Sequence, residues 1–115
     1  MPQNQKLLLA TKKIAALSKL EQKLFPIEKS KIVFELLTIA THFYLANKPL
    51  SIKQVFLSLD YSENGIRKQL RRLIAQKWLK VNRCSNDKRI YYIIPTAKLL
   101  SSFKKYTSAL ENLFR

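Results

Sequence analysis

Apolar residues recur three and four apart through most of the chain, and the period changes once. Leu7, Ala10, Ile14, Leu17, Leu20 and Leu24 line one face of a helix predicted over residues 3–25, with five lysines around it and Pro26 closing it. A second helix is predicted over 30–46, where Val33, Leu36, Leu37, Ala40, Phe43 and Tyr44 share a face before "NKPLS" breaks the pattern. Ser51 and Gln54 match a capping box for a short helix over 52–57 that turns Ile52, Val55 and Phe56 inward. Ser62 stands where an N-cap is needed for a further helix over 63–77, with Glu63 at the end of the dipole that favours negative charge. Two helices joined by so tight a turn form a helix-turn-helix.

From Leu79 the period is that of a strand. Residues 79–84 and 89–94 flank "SNDK", predicting a β-hairpin over 79–94 that Pro95 terminates. Thr96 then opens a last helix, 96–114, in which Leu99, Phe103, Tyr106, Leu110 and Leu113 keep a coiled-coil-like spacing for two heptads. The expected fold is mainly α with a small β-hairpin. It is a single winged-helix domain over 1–115: an N-terminal helix, a helix-turn-helix plus wing over 30–94, and a C-terminal helix.

The helix over 63–77 sorts its charge. Taking Ile66 as inward and advancing about 100° per residue, Leu70 and Leu73 fall within about 40° of it. Asn64, Lys68 and Arg71 fall on the opposite side, flanked by Arg67 and Arg72. No acid further along the helix pairs with these cations at i+4. A solvated basic face is the plain alternative, but solubility is served better by mixed signs, so an anionic partner is expected. Asn64 lies near the N-terminal end, where recognition helices meet base edges. Asparagine pairs with adenine and arginine with guanine, which makes Asn64, Arg67 and Arg71 the candidate base contacts in the major groove. Ser62, Lys68 and Arg72, with Arg83 and Lys88 of the hairpin, are the candidate contacts to the DNA backbone. Gly65, the only glycine, stands on the flank of the first turn, where a phosphate backbone or the preceding helix comes close.

Composition supports a polyanion as partner. The 115 residues carry a formal charge of +15, and a field of that sign draws nucleic acid, an anionic membrane surface or an acidic protein. All six arginines, Arg67, Arg71, Arg72, Arg83, Arg89 and Arg115, lie in the second half, and nine cations face two acids between Ser62 and Arg89. The single cysteine, Cys84, excludes an intrachain disulfide, and with one histidine it builds no zinc site; no metal or cofactor is expected. No apolar run approaches the roughly 18–20 residues that span a bilayer, and the first residues have no clear signal-peptide core, so a cytoplasmic protein is expected. There is no nucleophile–base arrangement, phosphate-binding glycine loop or placeable carboxylate pair, which argues against an enzyme.

Residues Pro49 to Lys98 resemble the winged-helix transcription regulators of the multiple-antibiotic-resistance regulator (MarR) type, and the short chain is similar to the small staphylococcal accessory regulator (SarA) branch. The resemblance rests on Asp87, Lys88 and Arg89, which match the family's Asp-x-Arg wing motif, and on Thr96, which matches the threonine opening its next helix. It implies that Arg89 enters the minor groove, that Asp87 positions it, and that the first and last helices of two copies interdigitate in a homodimer. The implied interface residues are Leu7, Ile14, Leu17, Phe103, Tyr106, Leu110 and Leu113; packing within one chain is the alternative. The family often has glycine where this chain has Asp60, Lys77 and Leu99, and lysine is a poor substitute for glycine at a helix C-terminus.

The resulting expectation is a dimeric regulator that binds specific double-stranded DNA, its effector unknown. Non-specific nucleic-acid binding by a replication-associated winged helix of a mobile element is the alternative, followed by a winged helix that binds protein alone. Membrane binding by residues 3–25 would leave 49–98 unexplained. His42 is expected to be structural, and Trp78 to pack between helix and wing. Redox sensing at Cys84, beside Arg83, is the less favoured reading of that thiol.

Overall fold

The computed structural model describes residues 2–27 and 30–113. Its elements are α1 (Pro2–Leu24), α2 (Lys31–Leu45), α3 (Ile52–Ser58), α4 (Glu63–Ala75), β1 (Leu79–Arg83), β2 (Tyr91–Pro95) and α5 (Ala97–Leu113). This is the mainly helical fold with one hairpin that the sequence pattern predicts. Arg115 and the end of the last predicted helix lie outside the described residues.

The core forms where the periodic faces meet. Val33, Leu36, Leu37 and Ala40 of α2 face Val55 of α3, Ile66, Leu70 and Leu73 of α4, Leu79 of β1, Ile93 of β2 and Leu99 of α5, all buried. Each buried Val, Leu or Ile side chain contributes about 1.5–3 kcal/mol by leaving water, which is what holds α4 with one fixed face outward. The helix ends are satisfied as their residues allow. Ser51 Oγ accepts from Gln54 N–H at 3.2 Å while Gln54 Oε1 accepts from Ser51 N–H at 2.9 Å, completing the capping box. Ser62 Oγ accepts from Gly65 N–H at 3.1 Å and opens α4.

α4 stops at Ala75, two residues before its predicted end, because Lys77 adopts a left-handed φ of 65°. Lys77 N–H then donates to Ile74 O at 3.1 Å and Trp78 N–H to Leu73 O at 2.9 Å, the paired bonds of a Schellman motif. Asn47, at φ 57°, ends α2 in the same way, with Lys48 N–H donating to Phe43 O at 2.9 Å. Trp78 packs against the core with Lys98 Nζ 4.1 Å from its ring centre. Thr96 Oγ1 lies 2.8 Å from Lys77 O and 3.0 Å from Trp78 O, binding the start of α5 to the end of α4.

β1 and β2 pair antiparallel, Leu79 opposite Pro95 and Arg83 opposite Tyr91. Ile93 N–H donates to Leu50 O at 2.8 Å, so the segment before α3 adds a third, single-bridge edge to the hairpin. The paired strands are shorter than predicted at the tip. Arg89 N–H bonds Asp87 Oδ1 at 3.0 Å and Ile90 N–H bonds Asp87 O at 3.0 Å, which draws both residues into the turn.

The terminal helices meet at their inner ends. Phe25 lies with its ring centre 4.7 Å from Phe103, 5.5 Å from Phe34 and 5.8 Å from Tyr106. Tyr106 Oη donates to Glu21 Oε1 at 2.7 Å, and burial followed by that carboxylate pushes its pKa up to about 12. Phe103 and Tyr106 therefore pack partly within the chain, each remaining half-buried. Further along α1, Leu7 and Ile14 are 64% and 63% exposed, as are most of Leu8 and Leu9. Leu17, Leu110 and Leu113 are half-buried. No helix among the described residues is long and apolar enough to cross a membrane.

Candidate nucleic-acid interface

With Ile66, Leu70 and Leu73 buried, α4 turns Asn64, Arg67, Lys68 and Arg71 outward, all exposed. Asn64, Lys68 and Arg71 have no partner among the described residues. Arg67 has one: its guanidinium carbon lies 4.8 Å from the centre of the Phe56 ring on α3. Arg72 does not join this face. It is half-buried, and its Nη2 donates to Pro26 O at 3.1 Å, tying α4 to the segment between α1 and α2. The candidate backbone contact at Arg72 thus has its guanidinium engaged, at least through Nη2, within the protein.

Gly65 meets the protein itself. A Cβ there would lie 3.1 Å from Ser62 Oγ and 3.7 Å from Ile32 Cδ1, so the missing side chain leaves room for the cap and for α2. Ser62 is exposed, and its hydroxyl proton is not used by the cap, where the oxygen is the acceptor.

The hairpin tip is organised around Asp87. Its Oδ1 accepts from Arg89 Nε at 3.2 Å and its Oδ2 from Arg89 Nη2 at 3.4 Å, and the guanidinium holds the carboxyl below its ordinary pKa. Arg89 is otherwise in solvent, 91% exposed. Lys88 stands beside it, exposed and without a partner among the described residues. Arg83 is engaged by its cross-strand neighbour, Nη2 donating to Tyr91 Oη at 2.7 Å with the guanidinium 5.1 Å from that ring centre. The Cys84 thiol is held below its ordinary pKa by the backbone of Asp87 and Asn86 and by the Tyr92 hydroxyl; Arg83 is not among the causes. His42 is on the exposed side of α2, edge-on to Phe43, rather than in the core.

Helix and wing border one surface. A shallow groove of about 120 Å³ is lined by Ile52, Arg67, Leu70, Arg71, Ile74 and Ile93. A second, of about 270 Å³, is lined by Ser51, Ile52, Lys53, Arg89, Ile90 and Tyr91. Ile52 borders both, so the groove lined by Arg67 and Arg71 and the groove lined by Arg89 adjoin at the start of α3. Lys53, which lines the second groove, and Phe56, which lies under Arg67, are among the residues here that sequence reasoning did not assign to the site. Their signal was weak: a lone lysine, and an aromatic residue already accounted for as core. No group of three or more metal-ligating side chains occurs among the described residues.

No family model matches the chain, and no curated protein matches it. Solved structures are similar to it. A MepR mutant from S. aureus bound to an oligodeoxyribonucleotide superposes with a TM-score of 0.78 at 12% identity, over 98% of this chain and 78% of that one. A transcriptional regulator from Thermotoga maritima does so with a TM-score of 0.69 at 18% identity, over 97% and 76% of the two chains. For a MarR mutant from E. coli the TM-score is 0.63 at 15% identity, over 96% and 77%.

Proposed function

We propose that this chain, whose fold is that of the MarR-type winged-helix transcription regulators, binds specific double-stranded DNA as a dimeric transcription regulator. The observation that carries the reading is the pair of adjoining grooves: cations of α4 line one and the arginine of the hairpin tip the other, and among the described residues Arg67, Lys68 and Arg71 form no ion pair while Arg89 pairs with Asp87. In this reading α4 enters the major groove, where Asn64, Arg67 and Arg71 meet base edges. Arg89, held by Asp87, reaches the flanking minor groove. Lys68, Lys88 and Lys53 neutralise phosphates, and the Ser62 hydroxyl donates a hydrogen bond to one. Arg83 serves the hairpin first, through Tyr91, and adds charge to the same field.

The dimer is supported by the exposed apolar surface of α1. Leu7 and Ile14 share one side of α1, with Leu8 and Leu9 in the same turn as Leu7; all four are more than half exposed, and exposed apolar surface of this kind marks an interface. A second copy is the occupant in this reading, with Leu17, Leu110 and Leu113 continuing the contact. Two copies carry two recognition helices to half-sites about one DNA turn apart.

Selection from a random duplex pool, followed by titration of the enriched and of random DNA at two salt concentrations, tests the reading. A specific regulator enriches a two-fold-symmetric site and prefers it by at least about a thousandfold at physiological salt. Equal affinity for both DNAs, with the same steep salt dependence, would leave a general nucleic-acid binder instead.

A further inference from the structure

Of the cations that α4 turns outward, only Arg67 has a partner among the described residues, and that partner is an aromatic ring on a different helix. Phe56 is half-buried: it packs against the core, and the guanidinium of Arg67 lies over its ring, 4.8 Å from the centre. Arg67 makes no hydrogen bond among the described residues, so while the ring restrains its guanidinium the N–H donors are left for another acceptor. It also restricts a side chain that otherwise surrenders much rotamer freedom on binding. Arg71, one turn further along, has no such support and remains adaptable.

Resting on the DNA-binding reading above, we propose that Phe56 is a positioning residue that holds Arg67 in the arrangement required to read a guanine edge, making Arg67 the more discriminating of the two arginines. Guanine is the base whose O6 and N7 accept two hydrogen bonds from one arginine. Phe56 touches no DNA in this scheme. It acts through Arg67 alone, and so its contribution vanishes when Arg67 is absent.

The test is a double-mutant cycle on the enriched duplex and on variants in which each guanine is replaced in turn by adenine or 7-deazaguanine. Arg67→Ala identifies the guanine that Arg67 reads. Phe56→Leu is expected to reduce discrimination at that same position by about two- to fivefold, the size of an exposed cation–π contact, and to leave discrimination at the other positions unchanged. Phe56→Tyr, which keeps the ring, restores it. In the Arg67→Ala background Phe56→Leu changes nothing further. Phe56→Met, an unbranched filler of the same half-buried position, replaces Phe56→Leu in the cycle should the leucine variant fail to fold, as judged by circular dichroism. A uniform loss on every duplex, or an equal effect with and without Arg67, would overturn the proposal and leave Phe56 as packing alone. Wild-type protein that enriches no site overturns the DNA-reading itself; wild-type protein that enriches one while Phe56→Leu and Phe56→Met leave it untouched overturns only the role of Phe56.

Discussion

Asp87 holds Arg89 through three hydrogen bonds, from its backbone N–H at 3.0 Å, its Nε at 3.2 Å and its Nη2 at 3.4 Å. The pair stands in solvent, where ion pairs add little stability, so its value lies in fixing where one guanidinium points. Two effects compete if it acts on DNA. Removing Asp87 deletes a negative charge near a polyanion, which favours binding; it also frees Arg89, which opposes binding through lost preorganisation. Positioning is expected to win on the specific site: Asp87→Ala lowers affinity about two- to tenfold there, the cost of ordering a mobile side chain. With Arg89→Ala already present, the same change raises affinity. Filter binding or anisotropy on the four proteins checks both signs, and tighter specific binding by Asp87→Ala alone would show that the carboxylate is only a repulsive charge.

Lys77 pays a conformational cost that its hydrogen bonds conceal. At φ 65° its Cβ meets the backbone, and the left-handed conformation costs an L-residue about 1–2 kcal/mol. Glycine removes that strain but adds unfolded-chain entropy of about 0.4–1 kcal/mol. Lys77→Gly is therefore expected to stabilise the fold by up to about 1 kcal/mol, read as a higher urea midpoint at constant m-value. The backbone bonds to Ile74 and Leu73, and the Thr96 hydroxyl on Lys77 O, need no side chain at this position.

Residue 77 also illustrates what was legible in advance. Glycine is the residue expected where a helix ends left-handed, and the lysine kept the position but hid the motif. The caps at Ser51 and Ser62 and the outward set Asn64, Arg67, Lys68 and Arg71 follow from local spacing, so the sequence pattern predicts them directly. Arg72 does not, because the carbonyl it binds belongs to Pro26, 46 residues away. Phe103 and Tyr106 fit a heptad seam equally well whether another chain or Phe25 covers them. The Phe56–Arg67 contact joins two helices whose relative placement no periodicity encodes. Arg89 and Ile90 looked like strand because the Asx turn at Asp87 is a side-chain event, invisible to hydrophobic alternation.

Tyr106 makes the junction of α1 and α5 sensitive to alkali. Its folded pKa stands at about 12, raised by burial and by Glu21, above the ordinary 10.0 of the unfolded chain. Between those values the unfolded chain has released the proton that the folded protein still holds, so stability falls as pH rises. The contribution is complete below pH 10, declines from there, and is lost through pH 12. Tyr106→Phe removes the ionisation and flattens that part of the profile, while also forfeiting the bond to Glu21 at neutral pH. Thermal melts of both proteins from pH 8 to pH 12 check this, and parallel profiles would locate the alkaline sensitivity elsewhere.

Arg71 and Lys68 lie three residues apart on the exposed side of α4, both without partners among the described residues, and the proposed interface gives them different work. If Arg71 reads a base, its loss removes a bidentate pair: Arg71→Ala costs about 1–3 kcal/mol, concentrated at one position of the enriched site. If Lys68 meets a phosphate, Lys68→Ala weakens specific and random DNA alike and lowers the slope of log affinity against log salt by about one unit. Both substitutions remove one positive charge from the same face, so long-range attraction falls equally in each and cancels in the comparison. What survives is direct contact. Identical behaviour of the two variants on specific and random DNA would therefore show that α4 supplies only charge, whereas divergent behaviour separates the arginine that reads from the lysine that anchors.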